Sequence, residues 1–549
     1  MIRIIKSFVF ILGTFILLTA ASTSKSDYYN EVAKSQKLIM DVYKYTVNNY
    51  ADKINLDEYT RSSITNMVEN LDPYTVYMEE DEKQSIDMLT KGIYGGVGME
   101  ISKRQGELTV IAPIDDSPAQ RAGIQSGDII SKIDTVITKD LSSTGAAKLI
   151  RGKKGTTVIL HIKRIDFDEL LIFPLVRDDI KVKDVRWYGM INDNIGFIRL
   201  GRFSKNSAEE TKEAFISLIE NNPNGIILDL RDNPGGLLQS SIEILDMLLP
   251  KGELLLSTKG RIKKSNREFF SKNDPIVPEN IKLAILINNG SASASEIVSG
   301  AIQDLDRGII IGRKSFGKGL VQSIYPLDQK RSLKLTTAKY FIPSGRLIQK
   351  EGYIDDDIVT DANTIDSIFF TTKGRIVKGG GGITPDLIVK VPEYGTLTTA
   401  CWRKGLFFSF VQQEKNNYQS SNNVKNNTFL LDEFSQFLEK KDIDVILSGE
   451  KLYKDTKEKL LAMDSTDAEL LLAFKKIDQF FENKEDSLFS DETPDIYHRI
   501  LLEFANHFDG VRGKFIESFN RDVDVKEAIN YLSNEQAYND IFSVIDLSE

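Results

Sequence analysis

Histidine is scarce in this chain: among 549 residues there are three, His161, His498 and His507. None stands near a serine in a context suited to nucleophilic attack, so a Ser-His-Asp arrangement has few places to form. His498 and His507 are not one helical turn apart, and packing or surface roles account for them better than metal binding does. Cys401 is the only cysteine, which rules out an intrachain disulfide, and without catalytic context it reads as structural. No phosphate loop, zinc spacing or cofactor fingerprint occurs, so the expected activity uses neither metal nor cofactor. The mild acidity, net charge −10, argues against nucleic acid as a partner. Long apolar runs are also missing, because the stretch from Phe8 to Leu18 is short for a bilayer span.

What the chain does contain is a serine and a lysine in a compact setting. Ser291-Ala292-Ser293-Ala294-Ser295-Glu296 is followed by Phe316-Gly317-Lys318-Gly319 and then Gln322. Between them the pattern predicts a helix beginning at Ser293, a buried strand over Gly308–Gly312 and a glycine-marked turn. A serine that opens a helix sits where unpaired backbone N–H groups point outward, a place where an oxyanion can be held. A free lysine, with pKa about 10.4, is protonated at neutral pH and must be desolvated before it can take a proton from serine. Phe316 and the aliphatic strand before it are the candidate dry wall.

The chain around these residues reads as alternating strand and helix. Short, nearly continuous apolar runs at Asn194–Leu200, Gly225–Leu230, Leu283–Ile287 and Gly308–Gly312 predict strands covered by helices on both faces. A helix is expected from about Ser207, where Ser207 and Glu210 have capping-box spacing and Phe215, Leu218 and Ile219 share a face. Another apolar helical stretch, Leu237 to Leu249, follows the loop Arg231-Asp232-Asn233-Pro234-Gly235-Gly236, which taken alone is a turn. The length fits several domains, and 41% hydrophobic content is enough for more than one core.

The two ends have a different character. Met1–Lys6 is basic, the stretch after it is apolar, and Thr19, Ala20 and Ala21 are small, the pattern of a Sec signal (1–21) cleaved near Ala21. An uncleaved membrane anchor is the alternative, and the lack of cysteine there excludes a lipoprotein anchor. From 27 to 85, apolar residues such as Val32, Ile39, Met40, Val42 and Tyr43 predict helices that pack on the core or on a second chain. The region 393–549 is expected to be helical, with an asparagine-rich linker at Asn416–Asn427 and helical periodicity over Asp467–Phe481 and Phe515–Leu532.

These motifs resemble those of the C-terminal processing peptidases, or tail-specific proteases, over about Leu71 to Val389. The resemblance implies that Ser293 is the nucleophile, Lys318 the general base and Gln322 the residue that orients the lysine. It implies an oxyanion hole made by the N–H of Gly235 or Gly236 together with that of Ala294. Tyr94-Gly95-Gly96-Val97-Gly98-Met99, Ser117-Pro118-Ala119, Ala122-Gly123-Ile124 and Gly127-Asp128-Ile129-Ile130 look like a PDZ domain, placed at 86–175. There Val97, Gly98 and Met99 would receive a peptide carboxylate, Met99 to Ile101 would pair with the peptide, and Ala146, Leu149 and Ile150 would line a pocket. Two departures stand out: Thr135 where the family has glycine, and Tyr74 for histidine in Leu71-Asp72-Pro73-Tyr74-Thr75. Pro343–Gln349 and Gly382–Asp386, with the acidic Asp355-Asp356-Asp357 between them, resemble the family's closing segments.

The implied fold is α/β, with a crotonase-like protease core at 176–392, an inserted PDZ domain of mixed α+β structure, and helical N- and C-terminal regions. The implied activity is serine endopeptidase cleavage of proteins from or near their C termini, acting in the cell envelope. Expected partners are proteins or peptides with apolar C termini, a nearby membrane, and a second copy of the chain or an adaptor. A catalytically silent PDZ-containing binding or adaptor protein is the alternative.

Overall fold

The computed structural model describes residues 27–79, 92–114, 116–165, 167, 169–350, 367–441, 443 and 445–543. The leader at 1–21, residues 80–91 on either side of the expected start of the PDZ domain, and Asp355–Asp357 lie outside the described residues. The chain divides into two units, Met1–Tyr77 and Met78–Glu549. Among the described residues no helix is long and apolar enough to cross a membrane.

The first unit contains α1 (27–49) and α2 (Leu56–Glu69). Asn55 caps α2 by accepting the Glu58 N–H. Beyond α2, the Asp72 carboxylate accepts the N–H groups of Tyr74 (2.8 Å) and Thr75 (2.9 Å) and the Thr75 hydroxyl (2.7 Å). This turn engages Tyr74 through its backbone.

The second unit begins with the PDZ-like segment. Its strands β1 (Met99–Arg104), β2 (Glu107–Pro113), β3 (Ile129–Ile133), β4 (Thr157–Lys163) and β5 (Leu171–Val176) form an antiparallel sheet in the spatial order β1-β2-β3-β4-β5. β1 is therefore an edge strand. Helix α3 (Ser143–Ile150) starts at Ser142, whose hydroxyl accepts the Gly145 N–H. At Thr135 the chain makes a two-residue turn between Ile133 and Val136, and the positive φ falls on Asp134 (+49°) instead. Asp134 is held there from the neighbouring strand: its carboxylate accepts the Ile159 N–H and its own N–H donates to Ile159 O, both at 2.8 Å, and Asp is one of the residue types that tolerate this region.

The next segment is built on a six-stranded sheet. β6 (Val185–Met190) pairs antiparallel with β7 (Ile195–Leu200). After α4 (Ser207–Ile219), β8 (Gly225–Asp229) lies parallel to β7; after α5 (Leu238–Asp246), β9 (Lys282–Ile287) lies parallel to β8. Helix α6 (Ala294–Asp304) leads to β10 (Ile309–Gly312), parallel to β9. The chain leaves β10 for the antiparallel hairpin β11 (Leu320–Pro326) and β12 (Ser332–Phe341), and β13 (Leu387–Ile388) closes the parallel edge beside β10. One face of the sheet packs on α4, α5 and α6, which contribute Phe215, Leu218, Ile244, Leu245, Ile297 and Val298.

The other face is covered from far along the chain. Ile195, Phe197, Ile227, Ala284, Leu286, Ile309 and Ile311 pack on Val525, Ala528, Leu532, Tyr538 and Phe542. These come from α9 (Val523–Ser533) and α10 (Glu535–Asp540), or follow directly after α10, once α7 (Leu406–Glu414) and α8 (Thr493–Phe519) have formed a separate core around Phe410, Phe434, Ile500 and Phe504. Cys401 is fully buried in that second core, and burial pushes its thiol up to about 12.

Three expectations change. Glu210 does not close a capping box with Ser207; it accepts the N–H groups of Asp184 (2.7 Å) and Val185 (2.9 Å), while the Ser207 hydroxyl donates to Ser204. Its carboxylate is taken up by the amides where the chain enters β6. The stretch Phe515–Leu532 is two helices, because Asp522 accepts the N–H groups of Asp524 and Val525 and starts α9 afresh. Asn416–Asn427 is no loose linker: Val424 is fully buried within a helical turn (Ser421–Lys425), and the Asn427 amide donates to Tyr418 and Glu433.

Leu532 seals the sheet face so closely that a Cβ on Gly225 would lie 3.0 Å from its side chain. Leu532→Ala is expected to destabilise the protein by about 2–5 kcal/mol, the cost of a large-to-small change in a packed core. Urea unfolding measures it, and a loss below about 1 kcal/mol would show that α9 is not seated on the sheet.

Candidate active site

Three loops meet at the carboxyl ends of parallel strands, where open α/β sheets place their ligands. The loop after β8 carries Arg231 to Gly236, the loop after β9 ends at Ser293, and the loop after β10 carries Phe316 to Gly319. Backbone and short polar side chains lace them together. The Ala292 N–H donates to Asn233 O (3.0 Å) and the Phe316 N–H to Ser291 O (2.9 Å), while the Ser291 hydroxyl donates to Leu230 O (2.8 Å) and the Ser295 hydroxyl to Asn233 O (2.9 Å).

Ser293 is the N-cap of α6, half-buried, with φ +54° and ψ −112°. A non-glycine residue in that region is strained and persists only where its surroundings hold it. The holder is Glu296, one turn into the helix and fully buried. Its Oε2 accepts the N–H groups of Ser293 (2.8 Å) and Lys318 (2.9 Å), and its Oε1 accepts the Gly317 N–H (2.7 Å) and the Ser315 hydroxyl (2.6 Å). Burial pushes this carboxyl up to about 7, against the four donors, which favour the ionised form. On the other side of the same two residues, the buried Tyr340 hydroxyl lies within hydrogen-bond reach of the carbonyls of both Ser293 and Lys318.

Gly235 and Gly236 take φ of +92° and +148°. A Cβ on Gly235 would sit 2.6 Å from Ala292 O and 2.8 Å from Ala294 N, so only glycine lets this backbone lie against the start of α6. The Gly235 N–H donates to Asn233 Oδ1 at 2.9 Å. Among the described residues the N–H groups of Gly236 and Ala294 have no acceptor.

Gln322 lies on β11 at a register shift in its pairing with β12, and its amide donates to Thr336 Oγ1 at 3.4 Å. Phe316 is half-buried, with the Lys350 ammonium 4.3 Å from its ring centre, so one face meets a cation instead of forming the dry wall expected from its sequence.

In the PDZ-like segment Val97 is fully buried and Gly98 has φ +76°. Gly98 O accepts the Ile114 N–H and the Ser117 hydroxyl, and Val97 O accepts the Ala119 N–H, which fixes the loop entering β1. Ala146 and Ile150 are buried in the segment's own core, whereas Met99, Ile101 and Leu149 remain partly accessible.

Several residues of the site had no role assigned from sequence. Glu296 and Tyr340 are two. Gln349 is a third: its Oε1 accepts the Gly319 N–H at 2.8 Å. Asp229 is a fourth; burial alone would raise its carboxyl, but Arg231 and Arg199 overcome this and hold it at about 2. The sequence signal for Glu296, Asp229 and Gln349 was their place inside the motifs or the strand leading into them; nothing marked Tyr340.

The profile of Peptidase family S41 matches residues 194–360, that of the PDZ domain matches 95–172, and "Probable PDZ-protease, C-terminal helical domain" matches 397–532. The Carboxy-terminal-processing protease of Bartonella bacilliformis is 37% identical, covering 64% of this chain and 82% of its own. The Carboxy-terminal processing protease CtpA of Bacillus subtilis is 33% identical, covering 62% of this chain and 72% of its own. Among solved structures, a photosystem II D1 C-terminal processing protease aligns with TM-score 0.36 and 24% identity, over 64% of this chain and 86% of that one. With that similarity extending over most of the Bartonella protein, this chain belongs to the carboxy-terminal-processing proteases, serine peptidases of family S41 with a PDZ domain.

Proposed function

We propose that this peptidase cleaves its protein substrates with Ser293 as nucleophile and Lys318 as general base, the amides of Ala294 and of Gly235 or Gly236 holding the oxyanion. The observation that carries this is the Glu296 carboxylate, one oxygen of which takes the amides of both Ser293 and Lys318. Neutral Lys318 takes the Ser293 proton as the hydroxyl oxygen attacks the peptide carbonyl. The oxyanion rests on the backbone donors, and Lys318 returns the proton to the leaving amine. Water then attacks the acyl ester by the same route and frees Ser293. Gln322, following on the strand that leaves the lysine loop, is the residue we assign to orient Lys318.

The substrates would present apolar C termini. The β1 edge is open to strand addition, with Val97, Gly98 and Met99 at its head to meet the carboxylate and Met99, Ile101 and Leu149 to meet the terminal side chain. The basic and apolar start of the sequence supports export to the cell envelope, close to a membrane. The exposed Leu38, Ile39, Met40 and Val42 of α1 offer a face for a second copy or an adaptor. Parallel strands alternating with helices on one face support a crotonase-like arrangement of the core.

Cleavage of an unfolded protein with an apolar C terminus is expected to fall roughly 10³-fold or more in Ser293→Ala and in Lys318→Ala. Activity should rise with pH as the lysine loses its proton. Lys318→Arg should be inactive, because guanidinium stays protonated; a working arginine variant would remove the lysine from the mechanism. Tail binding without cleavage in the parent protein would point to the adaptor reading.

Glu296 gives a separate prediction. Its folded-state pKa of about 7 lies above the ordinary 4.5, so the folded protein binds the extra proton between those values. The stabilisation is complete below about 4.5 and is lost as pH rises through about 7. Melting temperatures at pH 5 and pH 8 should show this decline in the parent and a flatter profile in Glu296→Gln. The same variant turns an amide NH₂ toward N–H donors, and its activity should fall at least about tenfold. Unchanged activity would separate the carboxylate from catalysis.

A further inference from the structure

The loops that carry the reacting groups are also joined from behind, by a carboxylate of the C-terminal helices. Arg231 lies shortly before Gly235, and Arg313 shortly before Lys318. Asp229 pairs with Arg231 through Nε (3.0 Å) and Nη2 (2.7 Å). The remaining donors of Arg231 meet α9: Nη1 and Nη2 reach Asp522 at 2.9 and 2.8 Å, and Nη1 reaches Asp524 at 2.8 Å. Asp524 also receives Nη1 of Arg313, at 2.5 and 2.6 Å to its two oxygens. One carboxylate, 1% exposed, thus bridges two guanidinia from two different catalytic loops.

We propose that Asp524, steadied by Asp522, is a positioning residue for the peptidase reaction: it sets the spacing between the oxyanion-hole loop and the lysine loop. The seating of α9 does not itself need this charge, since Val525, Ala528 and Leu532 supply the apolar contact with the sheet. Without the charge, Arg231 would keep Asp229 and Asp522, while Arg313, 30% exposed, would lose the carboxylate that ties its loop to that of Arg231. Among the described residues Asp524 is the carboxylate that pairs with Arg313. The loops would separate at their bases while the helix stays in place. This inference rests on the Ser293 and Lys318 assignment above.

The test compares the full-length parent with Asp524→Asn, Val525→Ala, Arg313→Met and Ser293→Ala, in steady-state peptide cleavage well below each melting temperature. Asp524→Asn should lose about tenfold or more in kcat with KM within about threefold, the signature of misplaced reacting groups. Val525→Ala should lose thermal stability but keep kcat within about twofold, because it loosens packing without touching the bridge. If Asp524→Asn does not fold, Arg313→Met decides the matter: it leaves Asp524 paired with Arg231 and should still lower kcat about threefold or more. A kcat unchanged in Asp524→Asn, or in Arg313→Met if the first does not fold, would overturn the proposal. So would equal kcat losses in Asp524→Asn and Val525→Ala. Activity surviving in Ser293→Ala would instead remove the assignment on which the proposal stands.

Discussion

The carboxylate of Glu296 is buried where no water can solvate it, and four donors from two loops replace that water. An ionised carboxylate left unpartnered in such a place would be prohibitively costly, so the loops have one arrangement in which the charge is tolerable. That arrangement brings the amide of Ser293 and the amide of Lys318 to the same oxygen. The strained φ of Ser293 follows from it, since the N–H must turn back toward the first turn of α6 while the side chain stays half-exposed. Tyr340 adds the matching restraint on the carbonyl side, and Gly235 fits against the result because it has no Cβ.

Around this centre the parallel sheet supplies rigidity, and it does so only because both of its faces are covered. Helices α4, α5 and α6 come from the same segment as the strands, as expected of strand-helix alternation. The covering of the other face comes from the C-terminal helical region, which also sends Asp522 and Asp524 to Arg231 and Arg313 in the loops after β8 and β10. The helical region is therefore part of the protease core's own hydrophobic interior, although its first helices build a separate core around Phe410 and Phe434.

Much of this was legible in the sequence. The apolar runs of β7 to β10 read as buried strands because every second residue did not need to be polar, and Ser293 as a helix start because small residues and Glu296 follow it. The Ser293 and Lys318 pattern, the Asn-Pro-Gly-Gly loop and the PDZ-like glycines were legible through their resemblance to the family's motifs, since alone each reads as a turn or a closely packed helix start. What stayed hidden depends on contacts between segments far apart in sequence. Glu296 was visible inside the motif, but its work depends on the lysine loop arriving beside it. Glu210 had capping spacing, yet its carboxylate accepts the amides of Asp184 and Val185 instead. Asp522 looked like one residue of a continuous helical pattern, and only its partner Arg231 and its capping of Val525 show why the helix restarts there.

The pairing of Gly225 with Leu532, and of the strands with Val525 and Ala528, also fixes an order of events during synthesis. All the parallel strands are made well before residues 523–533, so a nascent chain carries a sheet with one bare apolar face. Contacts of such long sequence separation form late and pay a large loop-closure cost. The growing chain therefore needs this face shielded until residues 523–542 arrive. A sheet assembled this way is sealed only after residues 523–542 are made, and until then the loops after β8 and β10 lack the carboxylate that bridges Arg231 and Arg313.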